Sequence, residues 1–185
     1  LKTLAHYGHP AENNIITVGD MRNLKSLSIT SDDNSMYSFF GARGFAEENN
    51  LYIIEMNTKI KSLEGLQYAS NLEYLSIYGL GLEDVSAISQ IYNLKFLDLE
   101  YNNLENISSL QNMSNLIGLG LRGNNISDIT PLLLLYNLET VSLSGNPISD
   151  ITPLSDLRQL QHLAMRTLNV TNLDALENME ELQQI

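Results

Sequence analysis

Apolar residues recur along most of this chain with a fixed beat of 22 residues. Numbered from a leading Asn, each unit is apolar at positions 2, 5, 7, 12, 15, 18 and 21. Residues 71–92 place Leu72, Leu75, Ile77, Leu82, Val85, Ile88 and Ile91 there. Units 93–114, 115–136, 137–158 and 159–180 follow the same rule, and Glu181-Leu182 opens another. Two neighbours are nearly the same sentence: Ile126-Ser127-Asp128-Ile129-Thr130-Pro131-Leu132 returns as Ile148-Ser149-Asp150-Ile151-Thr152-Pro153-Leu154. Self-similarity at this period marks a stack of coils, each burying its apolar edge against its neighbours.

Within a unit the spacing changes. The first half alternates, as in Leu97-Asp98-Leu99, which predicts a short strand with one buried face. The second half is apolar every third residue, as in Ile126, Ile129, Leu132 and Leu135. That predicts a 3₁₀ turn or short helix closing the coil. Thr130-Pro131 and Thr152-Pro153 read as an N-cap followed by Pro at the first helical position. Stacked coils pair their strands in parallel, about 4.8 Å apart. Bulkier elements opposite the strands splay that side. The expected class is therefore an α/β solenoid, with a curved parallel β-sheet on the concave face and 3₁₀ or short helical turns on the convex face.

Asn102, Asn124 and Asn146 share position 10 of successive units. An amide side chain both donates and accepts, so a column of them can satisfy backbone groups at the turn after each strand. Leu80 and Leu168 occupy that place in the flanking units and should end the ladder.

The N-terminal third is less regular. Residues 50–70 form a unit of 21 residues, and 23–49 a unit of 27. Leu1-Lys2-Thr3-Leu4 begins another, although His6 falls where an apolar residue belongs. About eight strands are expected. We divide a single domain, 1–185, into irregular repeats at 1–49, regular repeats at 50–180 and a truncated repeat at 181–185. An insertion at 31–49 carries Tyr37, Phe40 and Phe45. Asp32 or Asp33 could cap a helix there that buries those rings, or the segment is an aromatic loop reaching a partner. The chain opens inside one repeat and stops inside another, so a longer protein is expected around it.

The net charge of −12 argues against nucleic acid and against adsorption to anionic membranes, both of which need clustered Lys and Arg. No apolar run approaches the roughly 20 residues of a membrane-spanning helix. There is no Cys, hence no disulfide and no thiolate metal site. His6 and His9 have the spacing of a weak metal pair, but a site needs three or four ligands, so we expect surface or packing residues and no metal. Gly118, Gly120 and Gly123 mimic a dinucleotide motif; the repeat register explains them better. Asp84, Asp128 and Asp150 share position 14, a column suited to turn capping or, less simply, to calcium. Asn106, Asn112, Asn125 and Asn169 head Asn-x-Ser/Thr triplets that the repeat itself generates. No catalytic constellation and no cofactor motif appears, so an enzyme is not expected.

The outward strand positions carry the candidate binding residues. Tyr52, Tyr74, Tyr78, Phe96 and Tyr101 make an aromatic column, accompanied by Asp98, Glu100 and Arg122. Gly118, Gly120, Ser142 and Ala164 leave a notch, beyond which lie His162 and Arg166. Tyr and Arg are enriched at interface hot spots, so these residues read as a protein-binding face. The competing reading is that the rings stack only to stabilise neighbouring strands.

The run L-x-x-L-x-L-x-x-N-x-I-S-D-I-T-P-L resembles the leucine-rich repeat, specifically the 22-residue form of the bacterial internalins. Residues 126–132 and 148–154 match that subtype, whereas Leu104 to Leu110 lacks the Pro. The resemblance covers 71–180. It implies a curved parallel solenoid that binds proteins and performs no chemistry, placed outside the cell or on its surface. The leucine-rich regulatory subunits of phosphatases use a similar repeat, and imply instead a cytoplasmic regulatory scaffold.

Overall fold

The 22-residue beat is the step between paired strands. In this computed structural model, which describes residues 5–6, 9–10, 18–30, 51–55 and 63–183, Tyr74 pairs with Phe96, Phe96 with Gly118, Gly118 with Thr140 and Thr140 with His162. These are the strands β5 (Tyr74–Tyr78), β6 (Phe96–Asp98), β7 (Gly118–Gly120), β8 (Thr140–Ser142) and β9 (His162–Ala164). All pair in parallel, and the sheet is curved and open, so the expected α/β solenoid is borne out. Each coil closes through a 3₁₀ turn, such as Ser108–Leu110 or Thr130–Leu132.

The core is the stacked apolar columns. All seven periodic positions of the units at 71–92, 93–114, 115–136 and 137–158 are buried. Each such aliphatic side chain contributes about 1.5–3 kcal/mol of burial free energy. The unit at 159–180 departs. Leu173 is 55% exposed, and Met165, Val170 and Leu176 are only partly covered. Apolar position alone does not bury a side chain in a solenoid; a neighbouring coil has to cover it.

The Asn ladder forms as expected. Asn124 Oδ1 accepts from the Leu104 amide at 3.0 Å, and its Nδ2 donates to the carbonyls of Leu99 and Leu121 at 3.0 and 2.9 Å. Asn146 repeats this with Ile126, Leu121 and Leu143. Asn102 accepts from both Leu80 and Leu82. Each side chain thus joins the corner of its own coil to that of the coil before.

A second ladder uses the leading Asn residues. Asn93, Asn115 and Asn137 donate to the carbonyls of Ser70, Tyr92 and Ser114, each one coil earlier.

The position 14 column caps turns. Asp84, Asp128 and Asp150 accept from the amides two residues on, as do Asn106 and Asn172. This corrects the expected cap: Thr130 and Thr152 are the first residues of their 3₁₀ turns, make no cap through their side chains, and are themselves capped by Asp128 and Asp150.

The N-terminal elements depart from chain order. A hairpin of β1 (Ala5–His6) and β2 (His9–Pro10) sets His6 opposite His9. The helix α1 (Val18–Asn23) leads into β3 (Ser26–Thr30). β4 (Leu51–Glu55) does not lie between β3 and β5; the sheet order is β2-β1-β4-β3-β5-β6-β7-β8-β9. Nine strands are present among the described residues, against about eight expected.

Polar side chains span the step where β3 meets β5 directly. Glu73 sits between Lys25 at 3.5 Å and Lys95 at 2.6 Å, an alternation of charge across three adjacent strands. The Lys95 hydrogen bond holds the Glu73 carboxyl below its usual range. Asn71 donates to the carbonyl of Arg22, carrying the outer ladder across the same step. The insertion at 31–49 lies outside the described residues.

Asn124→Ala removes the acceptor of a buried amide and two short donors, so it should lower stability by about 1–3 kcal/mol. Urea unfolding followed by circular dichroism checks this, with a variant at exposed Asn125 as the neutral comparison.

Candidate functional site

Two rows of the sheet form the concave face. One runs Ser76, Asp98, Gly120, Ser142, Ala164 across β5 to β9. The other runs from Tyr78, the last residue of β5, through Glu100, Arg122, Ser144 and Arg166 just past the following strands, each 22 residues from the last. The face is built around the first two strands of these rows.

Asp98 is 3% and Glu100 4% exposed, so both carboxyls are in the floor of the face and not on a free surface. Asp98 accepts from the Ser76 hydroxyl at 3.1 Å and from the Glu100 amide at 3.0 Å. Glu100 hydrogen-bonds Ser142, two strands away across Gly120. Gly120 stands between them on β7 with no side chain to block that reach. Burial pushes Asp98 up to about 6, against the pull of its two hydrogen bonds. Burial and the adjacent Asp98 push Glu100 up to about 7, with Ser142 and the Arg122 guanidinium opposing.

Above this floor stand Tyr78, Tyr101 and Arg122. The rings of Tyr78 and Tyr101 lie 5.1 Å apart at 54°, and the Arg122 guanidinium sits 5.3 Å from the Tyr101 ring centre. Burial, then Tyr101 and the two carboxyls, raise the Tyr78 phenol. Tyr101 is 40% exposed. The group is an aromatic pair with a cation at one edge and two buried acids beneath.

Tyr101 holds an unfavourable backbone. It occupies position 9, where the chain leaves the strand with positive φ. Gly79, Gly123 and Gly145 fill that place in three coils, at φ 68°, 67° and 71°. Tyr101 has φ 56° and Thr167 φ 60°. Left-handed backbone costs an L-residue about 1–2 kcal/mol, and a bulky one is a true outlier there. Contacts of the ring with Tyr78 and Arg122 return about 0.5–1.5 and 0.5–1 kcal/mol. Gly123 makes room for the ring: a Cβ there would meet Tyr101 Cδ1 at 2.8 Å. Sequence reading placed Tyr101 in the cluster but missed this column, whose signal was three glycines at one position.

The other candidates divide. Tyr74 is 4% exposed, and so does not stand free on the face as an outward position was expected to. On β3 the same rows are buried too, and the hydroxyls of Ser26 and Ser28 have no partner. Phe96 and His162 are half-buried, while Arg166 is exposed. The backbone of Tyr52 is in register with Leu27, which pairs in turn with Leu75. Among the residues whose exposure is described, the aromatic column is open at Tyr78, Tyr101 and part of Phe96. No group of three or more His, Asp or Glu among the described residues could hold a metal ion.

This architecture defines the class as a leucine-rich repeat solenoid; domains of this class generally bind proteins and are typically not catalytic. Residues 114–156 match the family model "Leucine Rich repeats (2 copies)". The chain is similar to an internalin (InlF) of Listeria monocytogenes, at 28% identity and a TM-score of 0.68, over 73% of this chain and 39% of that one. It thus spans about two-fifths of that relative. Internalin C2 of the same organism shares the fold at 22% identity, with a TM-score of 0.64 over 93% of this chain and 84% of that one. A leucine-rich repeat protein of Leptospira interrogans does so at 24% identity and a TM-score of 0.61, over 74% and 36%. No curated protein sequence matches the chain.

Two measurements probe the site. Gly123→Ala should cost about 1–3 kcal/mol through crowding as well as left-handed strain, and less in a Tyr101→Gly background. A double-mutant cycle of unfolding free energies gives the coupling, and additive effects would show that the ring does not lie over Gly123. The two buried acids favour the protonated form. Folding therefore takes up protons between their unfolded range near pH 4 and their folded values of about 6 and about 7. Their contribution to stability is complete below that range and lost as pH rises through 6 to 7. Asp98→Asn with Glu100→Gln should thus gain on the parent as pH rises from about 5 to about 8 in paired urea titrations.

Proposed function

We propose that this chain is the binding segment of an internalin-like bacterial surface protein, non-catalytic, which grips a protein partner on its concave face through Tyr78, Tyr101 and Arg122. The observation that carries this reading is the backbone of Tyr101. The corner of the coil is best served by Gly, and three coils use it. A Tyr held there, 40% exposed and stacked on Tyr78, is strained where Gly would not be, and its ring contacts do no more than offset that strain. Strain of this kind gathers at ligand clamps. A stacked Tyr pair edged by Arg has the composition of an interface hot spot, already rigid and so losing little side-chain entropy on binding.

Asp98 and Glu100 support the clamp from below. They hold Ser76 and Ser142 by hydrogen bonds and so keep the floor beneath the rings rigid, leaving the exposed Tyr101 ring and the Arg122 guanidinium beside it for a partner to meet. Phe96, His162 and Arg166 extend the face along β6 and β9. Placement at the cell surface is supported by the likeness to the Listeria internalins. No helix among the described residues is long and apolar enough to cross a membrane.

The test is partner capture from the host or culture surface, compared between the parent chain and Tyr101→Gly. Strain relief of about 1–2 kcal/mol offsets the lost ring contacts, so stability should stay within about 1 kcal/mol. Capture should fall at least about tenfold, as for a hot-spot residue. Equal capture by a folded Tyr101→Gly chain removes the concave clamp.

A further inference from the structure

The coil at 115–136 carries apolar residues that its fold does not use. Positions 19 and 20 are Ser89-Gln90, Gln111-Asn112, Ser155-Asp156 and Glu177-Asn178 in the other four units of 22 residues, polar in each. In this coil alone they are Leu133-Leu134. The core positions on either side, Leu132 and Leu135, are fully buried, so the intervening pair is surplus to packing. Leu133 is 38%, Leu134 60% and Tyr136 51% exposed. With Pro131 they line a groove of about 500 Å³ on the return side of the coil, away from the strands. Scattered exposed apolar residues are ordinary; a contiguous patch with polar rims marks a contact surface.

The rim states the charge of the occupant. Two carboxylates, Asp128 and Asp156, line the groove, and no cation does. Arg158, at Tyr136's place in the next coil, is not among the lining residues. Asp128 accepts hydrogen bonds from Thr130, which keeps it ionised. The chain as a whole carries a net charge of −12. An acidic rim around an apolar floor repels acidic segments and rewards a cation beside an apolar anchor.

We propose that the groove at Leu133, Leu134 and Tyr136 is a second docking site, which takes a cationic amphipathic segment of a partner protein. An aliphatic or aromatic anchor rests on Leu133, Leu134 and Tyr136, and flanking Lys or Arg side chains meet Asp128 and Asp156. This site faces away from the concave clamp, so one chain can hold two surfaces at once and gain effective concentration between them.

A fluorescein-labelled peptide of about 14 residues, with Leu and Phe anchors between lysines, serves as the probe, and anisotropy with the intact chain reads its binding. Leu133→Ser with Leu134→Ser should weaken it about tenfold. Asp156→Lys should weaken it about threefold and flatten its salt dependence. Tyr101→Gly should leave it unchanged. A control peptide with Glu for Lys, and another with Ser for the anchors, should not bind. The mutated side chains are exposed, so circular dichroism should match the parent, and a variant that unfolds is replaced by Leu134→Gln alone. The proposal is overturned if the lysine peptide does not bind, if the acidic peptide binds equally, or if the Leu variants bind as the parent does. It is overturned in favour of a second copy of this chain if sedimentation shows a dimer that the Leu variants dissociate.

Discussion

Every coil of this solenoid must turn a corner directly after its strand, and that corner is where backbone amides and carbonyls are buried without a ladder partner. The constraint is strict, since a buried unpaired group costs about 1–3 kcal/mol. Asn102, Asn124 and Asn146 meet it with one side chain per corner, each taking an amide from the coil before and returning its own protons to carbonyls of both coils. The apolar columns can stack with no offset because the corners are held in this way. The regular concave rows are a consequence of the same clamps.

The corner makes a second demand, for left-handed backbone at position 9, and the functional reading depends on how that demand is met. Gly79, Gly123 and Gly145 satisfy it at no steric cost. Tyr101 satisfies it with strain, and Gly123 in the next coil leaves the space into which its ring folds. The ring then reaches Tyr78 on one side and Arg122 on the other. One glycine therefore serves both its own corner and its neighbour's side chain. The buried acids Asp98 and Glu100 complete the floor because Gly120 lets Glu100 pass to Ser142.

The repeat, the core columns and the Asn ladder were legible in the sequence because each rests on contacts between residues a fixed distance apart. The Asp column was legible for the same reason, although its role as the cap of Thr130 and Thr152 displaced the expected Thr cap. The place of β4 was not legible. Its unit follows the repeat in sequence, yet β3 pairs directly with β5 over five residues, and Glu73 binds both Lys25 and Lys95 across that step. Exposure on the concave face was also hidden. Outward parity places a side chain on that face, but whether it stays open depends on neighbours: Tyr74 and Glu100 are covered, while Tyr101 is not. The same limit applies at Leu173, which has the right period yet is 55% exposed.

The two faces have different origins. The concave clamp arises where a coil departs from glycine at its corner, and the return-side groove where a coil departs from polar residues at positions 19 and 20. Both departures sit on coils whose cores are otherwise regular, so the scaffold carries them without rearrangement. The geometry of Tyr101 is the joint between scaffold and clamp, and solution NMR tests it most directly. Positive φ brings the Tyr101 amide proton close to its own Hα, which predicts a strong intraresidue nuclear Overhauser effect together with cross-peaks between the Tyr78 and Tyr101 rings. A weak intraresidue effect, or a Tyr101 ring with no contact to Tyr78, would contradict the account.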